Sequence, residues 1–197
     1  MSKAATLIMA GALAAACSSQ ATPTAPMEVP VFSQSGQHAD SANGGNFGTP
    51  LSGREEVPQR PTRARGNAIF QLDAEGTGLS YKLIVANIEN AFMGHIHLAP
   101  AGANGPITVW LFPSTTPNVT LPLGNGRLDG VVAEGTITAA DLIGPLAGQP
   151  LSALVNEIKS GNAYVNVHTN DGVDPPNTGP GDFPGGEIRG QVRHRGH

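Results

Sequence analysis

One cysteine, Cys17, stands in a chain of 197 residues. A lone thiol excludes an intramolecular disulfide, a multi-thiolate zinc site and a catalytic cysteine in the remainder of the chain. Aromatic residues make up 5% and charged residues 13% of the sequence. No apolar run reaches the roughly 20 residues that a membrane-spanning helix needs. Positive charge is scarce too: the formal net charge is -4, whereas a nucleic-acid binder needs a basic face. The small group Arg60, Arg63 and Arg65 reads as a solvated strand edge. There is no P-loop, dinucleotide fingerprint, GxSxG or HExxH. The turn at Gly102, Gly105 and Pro106 has no helix behind it, so it reads as a tight loop and not a phosphate cradle. Abundant instead are glycine (26) and proline (17), the balance of a chain with many turns and short strands.

The first residues read as an address. Lys3 precedes an uncharged, mostly apolar run from Ala4 to Ala16, the length of a signal-peptide core. Ala14, Ala15 and Ala16 are small, and Cys17 follows directly, so the segment resembles a bacterial lipobox in which the Cys17 sulfur takes a diacylglycerol. The resemblance departs at Ala14, where Leu is preferred; cleavage after Ala16 by an ordinary signal peptidase is the alternative. Residues 1–16 are thus expected to be removed, and the protein to be exported and lipid-anchored to the cell envelope at Cys17, or otherwise secreted or periplasmic. Ser18, next in line, accompanies outer-membrane sorting in such lipoproteins. From Cys17 to Pro50 the chain is rich in Ser, Thr, Pro, Ala, Gly and Asn without apolar periodicity, which predicts a disordered tether. As a flexible coil it spans about 30 Å on average.

From Leu51 the pattern changes to short alternating runs. LSGREEVP reads as an edge strand stopped by Pro58. Ala68, Phe70 and Leu72 alternate with polar residues, as do Leu79, Tyr81, Leu83 and Val85, and the DAEGTG turn between them predicts a hairpin. Further strands are predicted over residues 91–98, 107–112, 131–137, 163–169 and 187–193. Thr138 with Asp141 marks a capped turn. Leu151, Leu154, Val155 and Ile158 lie at helical spacing, with Gly161 as a stop. Such an all-β domain with one or two short helices is a sandwich or Greek-key barrel. Residues 194–197 read as a frayed tail, and Asn118-Val119-Thr120 as a chance sequon.

The segments LSGREEVP, GNAIFQL, GHIH with AGANGP, YVNVHT and PGGEIRGQ occur in this order, and together they resemble the CHRD (chordin) domain family over residues 51–193. The resemblance implies an immunoglobulin-like β-sandwich with limited similarity to copper/zinc superoxide dismutases, and no established activity. One departure is the long loop from Asn170 to Asp182. Its Asp171, Asp174 and Asp182 lack an EF-hand spacing, so a turn-rich loop is favoured over a calcium site.

Period two also sorts the motif strands. Ile96 and Leu98 face one way and His95 and His97 the other; Val165 and Val167 oppose Asn166 and His168; Ile188 and Val192 oppose Glu187 and Arg189. If the three strands are neighbours, His95, His97, Asn166, His168, Glu187 and Arg189 gather on one outer face. Two readings follow. One is a metal site for Zn or Cu, with His95, His97 and His168 as ligands and Glu187 as a fourth. The other is a hydrogen-bonded polar cluster, in which His168 bonds a turn carbonyl and Glu187 pairs with Arg189 or another arginine. The sequence accordingly favours a non-catalytic, tethered extracytoplasmic module that binds an envelope protein or glycan, with a Cu- or Zn-binding envelope protein as the alternative.

Overall fold

The computed structural model describes residues 45–195. The expected signal peptide, the lipidation site Cys17 and most of the expected tether lie outside the described residues. Nine antiparallel strands carry the fold: β1 (Asn46–Ser52), β2 (Arg65–Leu72), β3 (Leu79–Glu89), β4 (Ala91–Leu98), β5 (Ile107–Phe112), β6 (Arg127–Ile137), β7 (Ala163–Thr169), β8 (Ile188–Gln191) and β9 (Arg193–His194). The spatial order is β5-β4-β7-β8-β1-β2-β3-β6, with β9 alongside β1. β8 meets β1 through one residue pair, Ser52 and Arg189. The sheet folds over so that its two halves share one core; Tyr81 Oη of β3 donates to the Leu111 carbonyl of β5 at 2.7 Å. The fold is all-β, a nearly closed sandwich with one α-helix and three single 3-10 turns among the described residues.

The alternation read from the sequence orients the strands. Ala68, Phe70 and Leu72 of β2 and Leu79, Tyr81, Leu83 and Val85 of β3 are buried, and the two strands pair in register as a hairpin. Ile96, Val109, Leu111, Val165, Val167 and Ile188 supply the other half of the core. The helix α1 (Leu151–Lys159) buries Leu151, Leu154, Val155 and Ile158. Nine residues are too few to hold a helix alone; burying these four side chains contributes about 6–10 kcal/mol at most and keeps it in place. Thr138 and Asp141 cap the first 3-10 turn after β6, as their spacing predicts.

Three sequence expectations are corrected. The domain starts at Asn46, inside the stretch read as tether, because Phe47 enters the core and is wholly buried. LSGREEVP is not an edge strand: β1 ends at Ser52, lies between β2 on one side and β8 and β9 on the other, and passes into a 3-10 turn at Gly53–Glu55. A Cβ at Gly53 would lie 2.4 Å from the Arg60 carbonyl, so this turn requires a glycine. The tail is also shorter than read, since His194 of β9 pairs with Phe47 of β1 and meets its ring edge-on. Asp171 and Asp182 close local turns, through Val173 N and through Thr178 N and Oγ1.

Candidate metal centre

β4 lies between β5 and β7, and β7 between β4 and β8. Register then sets the neighbours on the face away from the apolar core. His95 is opposite Asn166 and His97 opposite Tyr164, while Asn166 is opposite Arg189 and His95 opposite Trp110. Period two therefore does bring the predicted residues to one face. The expectation of an outer, wet wall fails, however. His95, His97, Asn166, His168, Glu187 and Arg189 are all buried, between 0 and 7% exposed. Three connecting segments cover them: the β4–β5 loop, the segment between β1 and β2, and the long loop before β8. Each sends a backbone or side-chain group onto this face, through Gly105, Thr62 and Pro184 respectively.

The three imidazoles converge. One ring nitrogen from each of His95, His97 and His168 lies within 4.8 Å of the others. His97 Nδ1 donates to the Gly105 carbonyl at 2.8 Å, and His168 Nδ1 donates to the Pro184 carbonyl at 2.8 Å. A carbonyl only accepts, so both Nδ1 atoms carry the proton and both Nε2 atoms present lone pairs. His95 Nδ1 stands 3.1 Å from His168 Nε2. With that lone pair as acceptor, His95 Nδ1 carries its ring proton in the metal-free cluster. His95 Nε2 and His97 Nε2 are then buried lone pairs with no hydrogen-bond partner. Each such group costs about 1–3 kcal/mol of uncompensated desolvation.

Electrostatics keep the cluster uncharged. Burial, then His168 and His97, lower the His95 pKa to about 2. Burial lowers His168 to about 4 against the opposing pull of the Pro184 carbonyl. His97 is lowered by burial and by the Arg189 charge, against the Gly105 carbonyl and the neighbouring Asn166 side chain, which stands outside hydrogen-bond geometry from Nε2. Packing holds the rings: His97 stacks on Tyr164 at 4.9 Å, the Arg189 guanidinium lies over the Tyr164 ring at 3.4 Å from its centroid, and Trp110 meets His95 edge-on at 4.2 Å.

Glu187 is not in the three-imidazole group. Its Oε1 accepts from Thr62 Oγ1 at 2.5 Å, and its Oε2 from Thr169 Oγ1 at 2.6 Å and Gly181 N at 2.8 Å. A carboxylate engaged in this way ties loops to β7. It also makes no ion pair: the two salt bridges among the described residues are Lys82–Glu134 and Arg127–Asp129. Arg189 instead donates to the Ala103 carbonyl and to Asn104 Oδ1. Asn166 lies between the two groups with its Oδ1 unpartnered.

Glu56 is a member that sequence reasoning missed. It is 4% exposed, its Oε1 lacks a partner, and burial raises its carboxyl to about 7 despite Arg189 and Arg60. A Cβ at Gly186, where φ is 123°, would fall 2.6 Å from Glu56 Oε1 and 2.8 Å from Asn166 Nδ2. The PGG segment is therefore glycine here for space as well as for backbone angle.

Fold and site together define an antiparallel β-sandwich with a buried, uncharged three-histidine cluster on one half of its sheet. Residues 47–192 match the model of the CHRD domain, and the chain belongs to the CHRD domain family. CHRD domains are typically extracellular. No helix among the described residues is long and apolar enough to cross a membrane. No curated protein and no solved structure matches the chain.

Proposed function

We propose that this protein is an extracytoplasmic binding module whose ligand is a transition-metal ion, Zn or Cu, held by His95, His97 and His168. The observation that carries the reading is the convergence, within 4.8 Å, of one ring nitrogen from each of three buried histidines, two of which have their outer nitrogens fixed on carbonyls. A structural polar cluster satisfies its buried atoms. This one satisfies the outward nitrogens of His97 and His168 with carbonyls, pairs His168 Nε2 with His95 Nδ1, and leaves His97 Nε2 and His95 Nε2 without a hydrogen-bond partner. That is the arrangement of metal-ligating histidines, whose second nitrogen is fixed by an outer hydrogen bond. The 3.1 Å between His95 Nδ1 and His168 Nε2 is also close to the roughly 3.3 Å between two nitrogens on one zinc or copper ion at about 2.0 Å each; ligation there moves the His95 ring proton from Nδ1 to Nε2. Neutral imidazoles suit both metals. Three protein donors leave room for a small exogenous ligand. Export through the N-terminal segment, with anchoring at Cys17, belongs to the same proposal and rests on the sequence of residues 1–17.

The test is elemental analysis of the full chain purified without an affinity tag, followed by melting with added Zn or Cu. At a metal concentration 100-fold above Kd, linkage adds about 2.7 kcal/mol, a rise in Tm of about 5–10 °C for a domain of this size. Absence of stoichiometric metal together with an unchanged Tm contradicts the proposal.

A further inference from the structure

A second feature lies apart from the histidines. The segment between β1 and β2 leaves the sheet at Gly53 and returns at Arg65, and its course is held by Arg60 N donating to the Gly53 carbonyl at 2.7 Å and Thr62 N donating to the Arg60 carbonyl at 3.0 Å. Along it runs a groove of about 510 Å³ lined by Arg54, Arg60, Arg63 and Arg65, with Gln59 and Thr62 between them. Four of the eleven Lys and Arg residues of an acidic chain thus line one concavity. None of the four makes an ion pair among the described residues. The buried carboxyl that interacts with Arg60 is Glu56, which burial raises to about 7, so at neutral pH it carries only about half a negative charge.

The groove is partly preformed. The Arg60 guanidinium lies over the Phe183 ring at 4.7 Å, and Arg65 Nη1 donates to the Ala64 carbonyl at 2.7 Å. Arg54 and Arg63 are exposed and make no side-chain hydrogen bond among the described residues, so their forks are free. Guanidinium forks match the oxygens of sulfate and phosphate bidentately. Like charges held side by side repel one another, and an anionic ligand relieves that repulsion; Glu55, Glu89 and Glu187 stand nearby but make no ion pair with the four arginines among the described residues. A concave strip accepts a chain better than a flat bilayer face, and the extracellular setting of the family supplies glycan chains.

We propose that the arginine groove binds an anionic polysaccharide carrying sulfate or phosphate groups, independently of the histidine cluster. The probe is a fluorescent dextran sulfate oligosaccharide, titrated into the full chain and read by anisotropy, with uncharged dextran as reference. Saturable binding is expected at 50 mM NaCl. Release of counterions from about three anionic groups predicts a loss of roughly 20–40-fold between 50 and 200 mM salt. Arg54→Gln with Arg63→Gln should weaken binding about 10-fold or more without changing the Tm, since neither side chain is used by the fold. Lys82→Gln with Arg127→Gln removes the same charge elsewhere and should change it less than about 2-fold. No saturable binding at 50 mM salt, equal loss in the two double variants, or tighter binding to anionic vesicles or single-stranded DNA would each overturn the proposal.

Discussion

The buried, uncharged state of the histidines makes a quantitative prediction about protons. An exposed imidazole with a pKa near 6.5 is about three-quarters protonated at pH 6, so a surface site of three such groups releases about two protons when a metal ion binds. Here the His168 pKa is near 4 and that of His95 near 2. At pH 6 only about 1% of His168 is protonated, and less of His95. His97 is shifted in the same direction by its burial. Metal binding at pH 6 should therefore release less than about one proton. The same reasoning sets the affinity. Between pH 7.5 and 5.5 an exposed three-histidine site loses about 10³-fold, whereas this one should lose less than about 10-fold. Calorimetric titration of zinc at pH 6, in buffers that differ in ionisation enthalpy, counts the protons directly. Release of about two protons would refute the reasoning, because the rings would then be solvated in the metal-free protein.

Other consequences are measurable with single substitutions. A Cβ at Gly105 would lie 1.8 Å from the Leu98 carbonyl, so Gly105→Ala must move the carbonyl that orients His97, and zinc affinity should fall about 10–100-fold. Glu56 has a folded pKa above its unfolded one, so its contribution to stability is complete below about pH 4.5 and is lost as pH rises through about 7. Glu56→Gln should therefore raise the unfolding free energy by about 1–3 kcal/mol at pH 8 and by much less at pH 5; denaturant unfolding at the two pH values checks this, and a less stable variant at pH 8 contradicts it. A Cβ at Gly190 would meet the Pro50 carbonyl at 2.1 Å and Thr49 Oγ1 at 2.4 Å, where β8 abuts β1. Gly190→Ala should cost about 2 kcal/mol or more, read as a fall in the urea midpoint.

Much of this architecture is visible in local pattern. Alternation along β2, β3, β4 and β7 assigns each side chain to a face without knowledge of any partner strand, and the helical spacing of Leu151, Leu154, Val155 and Ile158 is equally local. The convergence of His95, His97 and His168 needs one more fact, the pairing of β4 with β7, which period two does not supply. Burial of the polar face was hidden for a different reason. It depends on loops distant in sequence, so Arg189 and Glu187 look like solvated residues until Ala103, Asn104 and Thr62 are placed over them. Glu56 was masked by the apparent strand LSGREEVP, since a carboxylate beside Val57 and Pro58 carries no mark of burial. The start of β1 was missed because Phe47 is one apolar residue among Gly, Asn and Thr.

The central claim is that three uncharged rings bring one nitrogen each to a single ion. X-ray absorption at the metal edge of the zinc- or copper-loaded full chain tests it most directly. The account predicts three imidazole nitrogens at about 2.0–2.1 Å, reduced to two in His168→Gln. A shell dominated by oxygen, or a spectrum unchanged by that substitution, would contradict it.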